Sequence, residues 1–99
     1  MLVDFADDDL RRLYVDPRCR LPSIGSELTK KYRRIVGFIA SATDERDLYA
    51  MRSLHYEKLE GSRSGQQSLR LDQQWRLIVR VETTEDCKTM IVIEIVDYH

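Results

Sequence analysis

Apolar and polar residues along this chain keep one period up to about residue 51 and another after it. Leu2-Val3-Asp4-Phe5 alternates, with Val3 and Phe5 on one side, and predicts a short opening strand. Asp7, Asp8 and Asp9 then precede Leu10, Leu13 and Tyr14 at helical spacing, acid at the end where a helix dipole favours it. Pro17 ends that segment, and residues 16–25, with two prolines and one glycine, predict a loop. From Ser26 a long helix follows. Leu28, Tyr32, Ile35, Val36 and Ile39 fall on one stripe, while Lys30, Lys31, Arg33 and Arg34 lie largely off it. Asp44 resembles an N-cap for a helical turn over 45–50, with Leu48 and Met51 facing inward.

Past Met51 the pattern alternates. Residues 54–59 predict an irregular or extended stretch, and Glu60 to Gly65 a turn-rich loop. In 67–71, Leu69 and Leu71 share one face and Ser68 and Arg70 the other. In 75–81, Trp75, Leu77, Val79 and Val81 oppose Arg76, Ile78 and Arg80. Thr83 to Lys88 predict a polar turn. Met90 to Val96 is nearly uninterrupted and rich in β-branched residues, which suits a central strand buried on both faces. Helices followed by a meander of strands predict an α+β fold, a single domain over residues 1–99 with two helices packed on one face of a mainly antiparallel sheet. The other face then carries Ser68, Arg70, Arg76 and Arg80, as solvated cover or as the lining of a cavity.

The 99 residues are 42% hydrophobic and 33% charged, enough for one core with a well-solvated surface. No stretch reaches the apolar length of a membrane span, and the N-terminus lacks a signal-peptide pattern, so a cytoplasmic location is expected. Cys19 and Cys87 lack metal-ligand spacing and are expected as free thiols, and no metal or other cofactor is expected. Net charge is −1, but its distribution is uneven. Residues 52–80 carry six basic and three acidic side chains, whereas 81–99 carry one lysine and five acids. A local basic patch binds phosphates even when the total is neutral.

The chemistry-bearing residues are His55, Arg63, Arg70, Arg76, Asp97, Tyr98 and His99. Brought to one concave face, they suit RNA backbone cleavage without a metal. The ribose 2′-OH attacks the adjacent phosphorus, one group takes its proton and another protonates the leaving 5′-oxygen. Guanidinium groups hold the charge that builds on the phosphate oxygens. Histidine is the side chain that ordinarily titrates near neutral pH. Nucleophile-elbow, P-loop and dinucleotide glycine patterns are missing. Each residue also has a structural alternative: His55 half-buried beside Tyr56, Arg63 solvated in its loop, Arg70 and Arg76 paired with acids across strands, and Trp75 as packing.

Leu59-Glu60-Gly61-Ser62-Arg63, Gln67-Ser68-Leu69-Arg70-Leu71, Gln74-Trp75-Arg76-Leu77 and Val96-Asp97-Tyr98-His99, in that order, resemble the HigB toxins of the RelE/ParE superfamily. The resemblance spans nearly the whole chain. It implies a RelE-like sheet of four or five strands and a ribosome-dependent mRNA endonuclease that halts translation. It implies a catalytic set of His55, Asp97, Tyr98 and His99, with Arg63, Arg70, Arg76 and Lys58 as contacts to RNA or phosphate. The implied partners are the ribosome and its message, and a HigA-like helix-turn-helix antitoxin that represses its own operon, so that operator DNA is met only through the antitoxin. Two other readings stay open on the same scaffold: a gyrase-poisoning toxin of the ParE branch, and a non-catalytic module that binds an antitoxin.

Overall fold

The computed structural model describes residues 1–97; Tyr98 and His99 lie outside the described residues. The elements in chain order are β1 (Leu2–Phe5), α1 (Asp8–Val15), α2 (Ser26–Ser41), α3 (Glu45–Ala50), β2 (Glu57–Lys58), β3 (Gln67–Arg70), β4 (Trp75–Thr84) and β5 (Cys87–Asp97). Single 3-10 turns occupy Arg52–Leu54 and Gly61–Arg63. The sheet order is β1-β5-β4-β3-β2. All neighbours are antiparallel except β1, which runs parallel to β5. This is the α+β arrangement that the sequence predicts.

Local chemistry explains the helices. The Asp7 carboxylate caps α1, accepting from the backbone N–H of Asp9 at 2.8 Å and of Leu10 at 3.2 Å. Asp44 caps α3 in the same way through the N–H of Arg46. Its carboxyl is pulled down to about 2 by the hydrogen bonds from Arg46. The α2 stripe buries Leu28, Tyr32, Ile35, Val36 and Ile39. These meet Leu10 and Leu13 of α1, Leu48 of α3, and the sheet residues Leu69, Leu77, Val79, Met90 and Val92 in one core. Tyr32 ties α2 to α1 by donating its hydroxyl to the Leu10 carbonyl at 2.7 Å.

Three expectations change. Met51, predicted to face inward, is instead exposed at the end of α3. Lys30, Lys31, Arg33 and Arg34, off the apolar stripe of α2, predict a basic outer face. Arg33 is instead used inside the fold. Its guanidinium donates to the carbonyls of Leu13 at 2.7 Å and of Asp16 and Cys19 at 3.1 Å, closing the C-terminal end of α1 and the loop after it. The polar turn predicted over Thr83–Lys88 shrinks to Glu85-Asp86, because β4 and β5 keep pairing out to Thr84 and Cys87. The hairpin ladder runs on past the core with mostly polar side chains, so hydrophobic alternation cannot mark its end. Glu85 makes the reversal at φ 49.

β5 lies between β1 and β4, and Met90, Ile91 and Val92 are buried, as an inner strand requires. Its register with β4 shifts between Ile78 and Val79. Ile93 is the extra residue of this bulge, so Glu94 and Val96 join Ile78 and Arg76 on the face away from the helices.

Candidate functional site

The face away from the helices is organised in rows. At one end of the sheet, Arg70, Arg76 and Val96 stand directly opposite one another across β3, β4 and β5. Two strand spacings, about 10 Å, separate the first from the last. The next row inward is Ser68, Ile78 and Glu94. The same sheet end also receives the start of β2, the start of β4 and the carboxyl end of β5. This convergence puts His55, Arg70, Arg76 and Asp97 along one rim.

His55 stands just before β2 in the left-handed conformation, at φ 47. It caps the Arg52–Leu54 turn, its N–H bonding the Arg52 carbonyl at 3.1 Å, and turns the chain from the helical layer into the sheet. Its ring is exposed, and Nε2 lies 3.3 Å from Arg70 Nη1. A guanidinium only donates, so Nε2 accepts and carries no proton in this contact. Arg70 Nε also donates to the Asp72 carbonyl at 3.2 Å. Arg70 and Arg76 occupy facing positions on β3 and β4, so two cationic side chains start from neighbouring points at this end of the sheet.

The turn between β3 and β4 shapes the rim from its own backbone. Asp72 accepts from the N–H groups of Gln74 and Trp75, each at 2.8 Å. Burial alone would raise the Asp72 carboxyl. The two N–H groups, with Lys31 and Arg70 nearby, outweigh it and hold the carboxyl below its usual range. The side-chain amide of Gln74 then donates to Asp97 at 3.0 Å, orienting an exposed carboxylate opposite Trp75.

The remaining sequence-predicted residues are placed differently. Arg63, half-buried in the loop between β2 and β3, is engaged by the Glu94 carboxylate and by Gln66 Oε1 at 2.9 Å. It therefore lies over the second row rather than on the rim. Lys58 is exposed on edge strand β2 and pairs with Gln67, on the helix-facing side of the sheet, away from Arg70 and Arg76. Tyr98 and His99 fall outside the described residues. Sequence reasoning missed Gln74, Gln66 and Glu94. Glu94 carried a signal: it is the single charged residue in the run Met90–Val96. Among the described residues no cluster of His, Cys, Asp and Glu has metal-binding geometry, and no helix is long and apolar enough to cross a membrane.

Comparisons with known proteins agree with this architecture. The chain is similar in fold to a YoeB/ParE toxin from Agrobacterium tumefaciens, with a TM-score of 0.55, 17% identity and 100% of both chains covered. It is also similar to YafQ from Escherichia coli strain BL21(DE3), with a TM-score of 0.58, 12% identity, and 94% of this chain and 88% of that chain covered. No curated protein sequence matches. The family model of the RelE-like toxin of type II toxin–antitoxin system HigB matches residues 3–99. A match over almost the full length shows the family: this chain belongs to the HigB-like, RelE-like toxins of type II toxin–antitoxin systems.

Proposed function

We propose that this toxin is a ribosome-dependent mRNA endonuclease that cuts the message by 2′-OH attack, without a metal, at the rim defined by His55, Arg70, Arg76 and Asp97. The observation that supports it most is the facing pair Arg70–Arg76 with His55 Nε2 on the Arg70 guanidinium. A scissile phosphate entering at this pair meets two guanidinium groups and collects bidentate hydrogen bonds as its charge grows. Once Arg70 turns to the phosphate, His55 Nε2 is released with its lone pair available to accept the 2′-OH proton. Asp97, held by Gln74, is the orienting carboxylate. Tyr98 and His99, which follow it in sequence, complete the set, His99 as the acid for the leaving 5′-oxygen and Tyr98 as a contact to the substrate. A ribosome-bound message places the protein in the cytoplasm, and a HigA-like helix-turn-helix antitoxin is the partner that restrains it.

Induction of the protein in growing bacteria, followed by primer extension on cellular messages, tests the reading. Translation-dependent cuts within codons are expected, and Asp97→Ala or His55→Ala should relieve the growth arrest while leaving the domain folded. Intact messages beside broken DNA would support the gyrase-poisoning reading instead. Intact messages with normal growth would leave an antitoxin-binding module.

A further inference from the structure

Arg63 is held by two side chains that the functional reading leaves without a role. Its Nη2 donates to the Glu94 carboxylate and its Nη1 to Gln66 Oε1. The backbone around it is already fixed. Leu59 N–H bonds the Gln66 carbonyl at 3.0 Å, Ser64 N–H bonds the Gly61 carbonyl at 3.1 Å, and Gln66 N–H bonds the Arg63 carbonyl at 3.0 Å. Gly61 at φ 66 and Gly65 at φ 90 make the reversals that bring the loop back toward the sheet. Glu94, across from Ile78, lies one strand repeat inside Val96, about 7 Å along β5. The contact therefore spans from the loop beyond β3 to β5 and sets a third guanidinium beside the Arg70–Arg76 pair.

We propose that Glu94 is the positioning residue for Arg63. Resting on the nuclease reading above, it fixes that guanidinium where it meets a phosphate of the RNA strand next to the scissile one. A guanidinium has five N–H donors, and two are used here, so Arg63 keeps its tether while three remain for phosphate oxygens. An arginine held in advance loses less conformational freedom on binding than one on a free loop. A carboxylate one row in from Arg70 and Arg76 also counts against RNA, so its presence fits a residue kept for what it holds.

The test is single-turnover cleavage of a ribosome-bound message by wild type, Glu94→Ala, Glu94→Gln, Arg63→Ala and the double variant Arg63→Ala/Glu94→Ala. Glu94→Ala should slow cleavage on the order of 10- to 100-fold, the effect of misplacing a catalytic contact. Glu94→Gln should recover part of that, because its amide oxygen still accepts from Arg63. The double variant should be no slower than Arg63→Ala, since Glu94 acts through Arg63. Hydrogen exchange of residues 61–66 should rise in Glu94→Ala. Losses that multiply in the double variant, unchanged exchange in the loop, or faster cleavage by Glu94→Ala would each overturn the role; the last would mean that the carboxylate competes with RNA for Arg63. Wild-type protein that cuts no message overturns the nuclease reading and this role with it. Wild-type cleavage that Glu94→Ala leaves unaltered overturns the role alone.

Discussion

Replacing Ile78 by alanine probes the part of the fold that strand alternation hides. Ile78 points away from the helices, on the face that carries Arg70, Arg76 and Glu94, and it lies outside the main core. It is nevertheless 2% exposed, and its neighbour Ser68 is 1% exposed. Arg63, from the loop of residues 59–66, reaches over that face to Glu94, the residue directly opposite Ile78. Deleting three carbons at about 0.8 kcal/mol each removes ~2.4 kcal/mol of transfer free energy. The cavity left behind raises the total to about 3 kcal/mol, inside the range for large-to-small core changes. A strand position open to solvent would lose under about 1 kcal/mol. Urea unfolding separates the two outcomes, because the midpoint moves while the slope stays constant. Ile78→Val should lose about 1 kcal/mol, as one methyl group. With a total stability of about 5–15 kcal/mol, the alanine variant stays folded in water. A loss below about 1 kcal/mol for Ile78→Ala would refute the covered face, and with it the picture of Arg63 held over the sheet.

Three further outcomes follow from the same geometry. Tyr32→Phe should lose about 1 kcal/mol in urea unfolding by removing the bond to the Leu10 carbonyl. Burial, ahead of Asp7 and Tyr14, pushes that phenol far above its ordinary value, so no alkaline titration of Tyr32 should precede unfolding. Arg33→Ala should lose about 2 kcal/mol, and Arg33→Lys most of it, because an ammonium cannot span the carbonyls of Leu13, Asp16 and Cys19; hydrogen exchange in residues 16–20 should rise. For Asp72 the folded carboxyl lies below its unfolded value, so its contribution is full above about pH 4 and is lost as pH falls through the folded value. Asp72→Ala should therefore lose less stability than wild type between pH 5 and pH 2, measured by urea midpoints at each pH.

Much of the scaffold was legible because it follows from burial. The α2 stripe and the alternating faces of β3 and β4 come from apolar residues at the period of their own element. The extension of the β4–β5 hairpin was not legible. Its outer pairs, such as Glu82 with Thr89 and Thr83 with Lys88, are polar and bonded through the backbone, which hydrophobic pattern does not register. The site divides in the same way. Arg70 and Arg76 could be assigned to one face by period alone, and the register then sets them directly opposite each other. The contact of His55 with Arg70 depends on a left-handed residue after a 3-10 turn, and the hold of Glu94 on Arg63 depends on a β-bulge and a folded-back loop. No spacing rule encodes either. Arg33 shows the reverse case, a basic side chain off the apolar stripe of α2 that three backbone carbonyls occupy.

The chemistry of the cut ends tests the account most directly. In the proposed reaction, attack by the 2′-OH, with His55 as base and the guanidinium groups of Arg70 and Arg76 on the phosphate, would leave a 2′,3′-cyclic phosphate on the upstream fragment and a 5′-hydroxyl on the downstream one. Messages cut in ribosome complexes by wild-type protein should carry those two ends, and Arg70→Ala and Arg76→Ala should each lower their yield on the order of 100-fold. Fragments that begin with a 5′-phosphate, or cleavage that persists undiminished in both arginine variants, would contradict it.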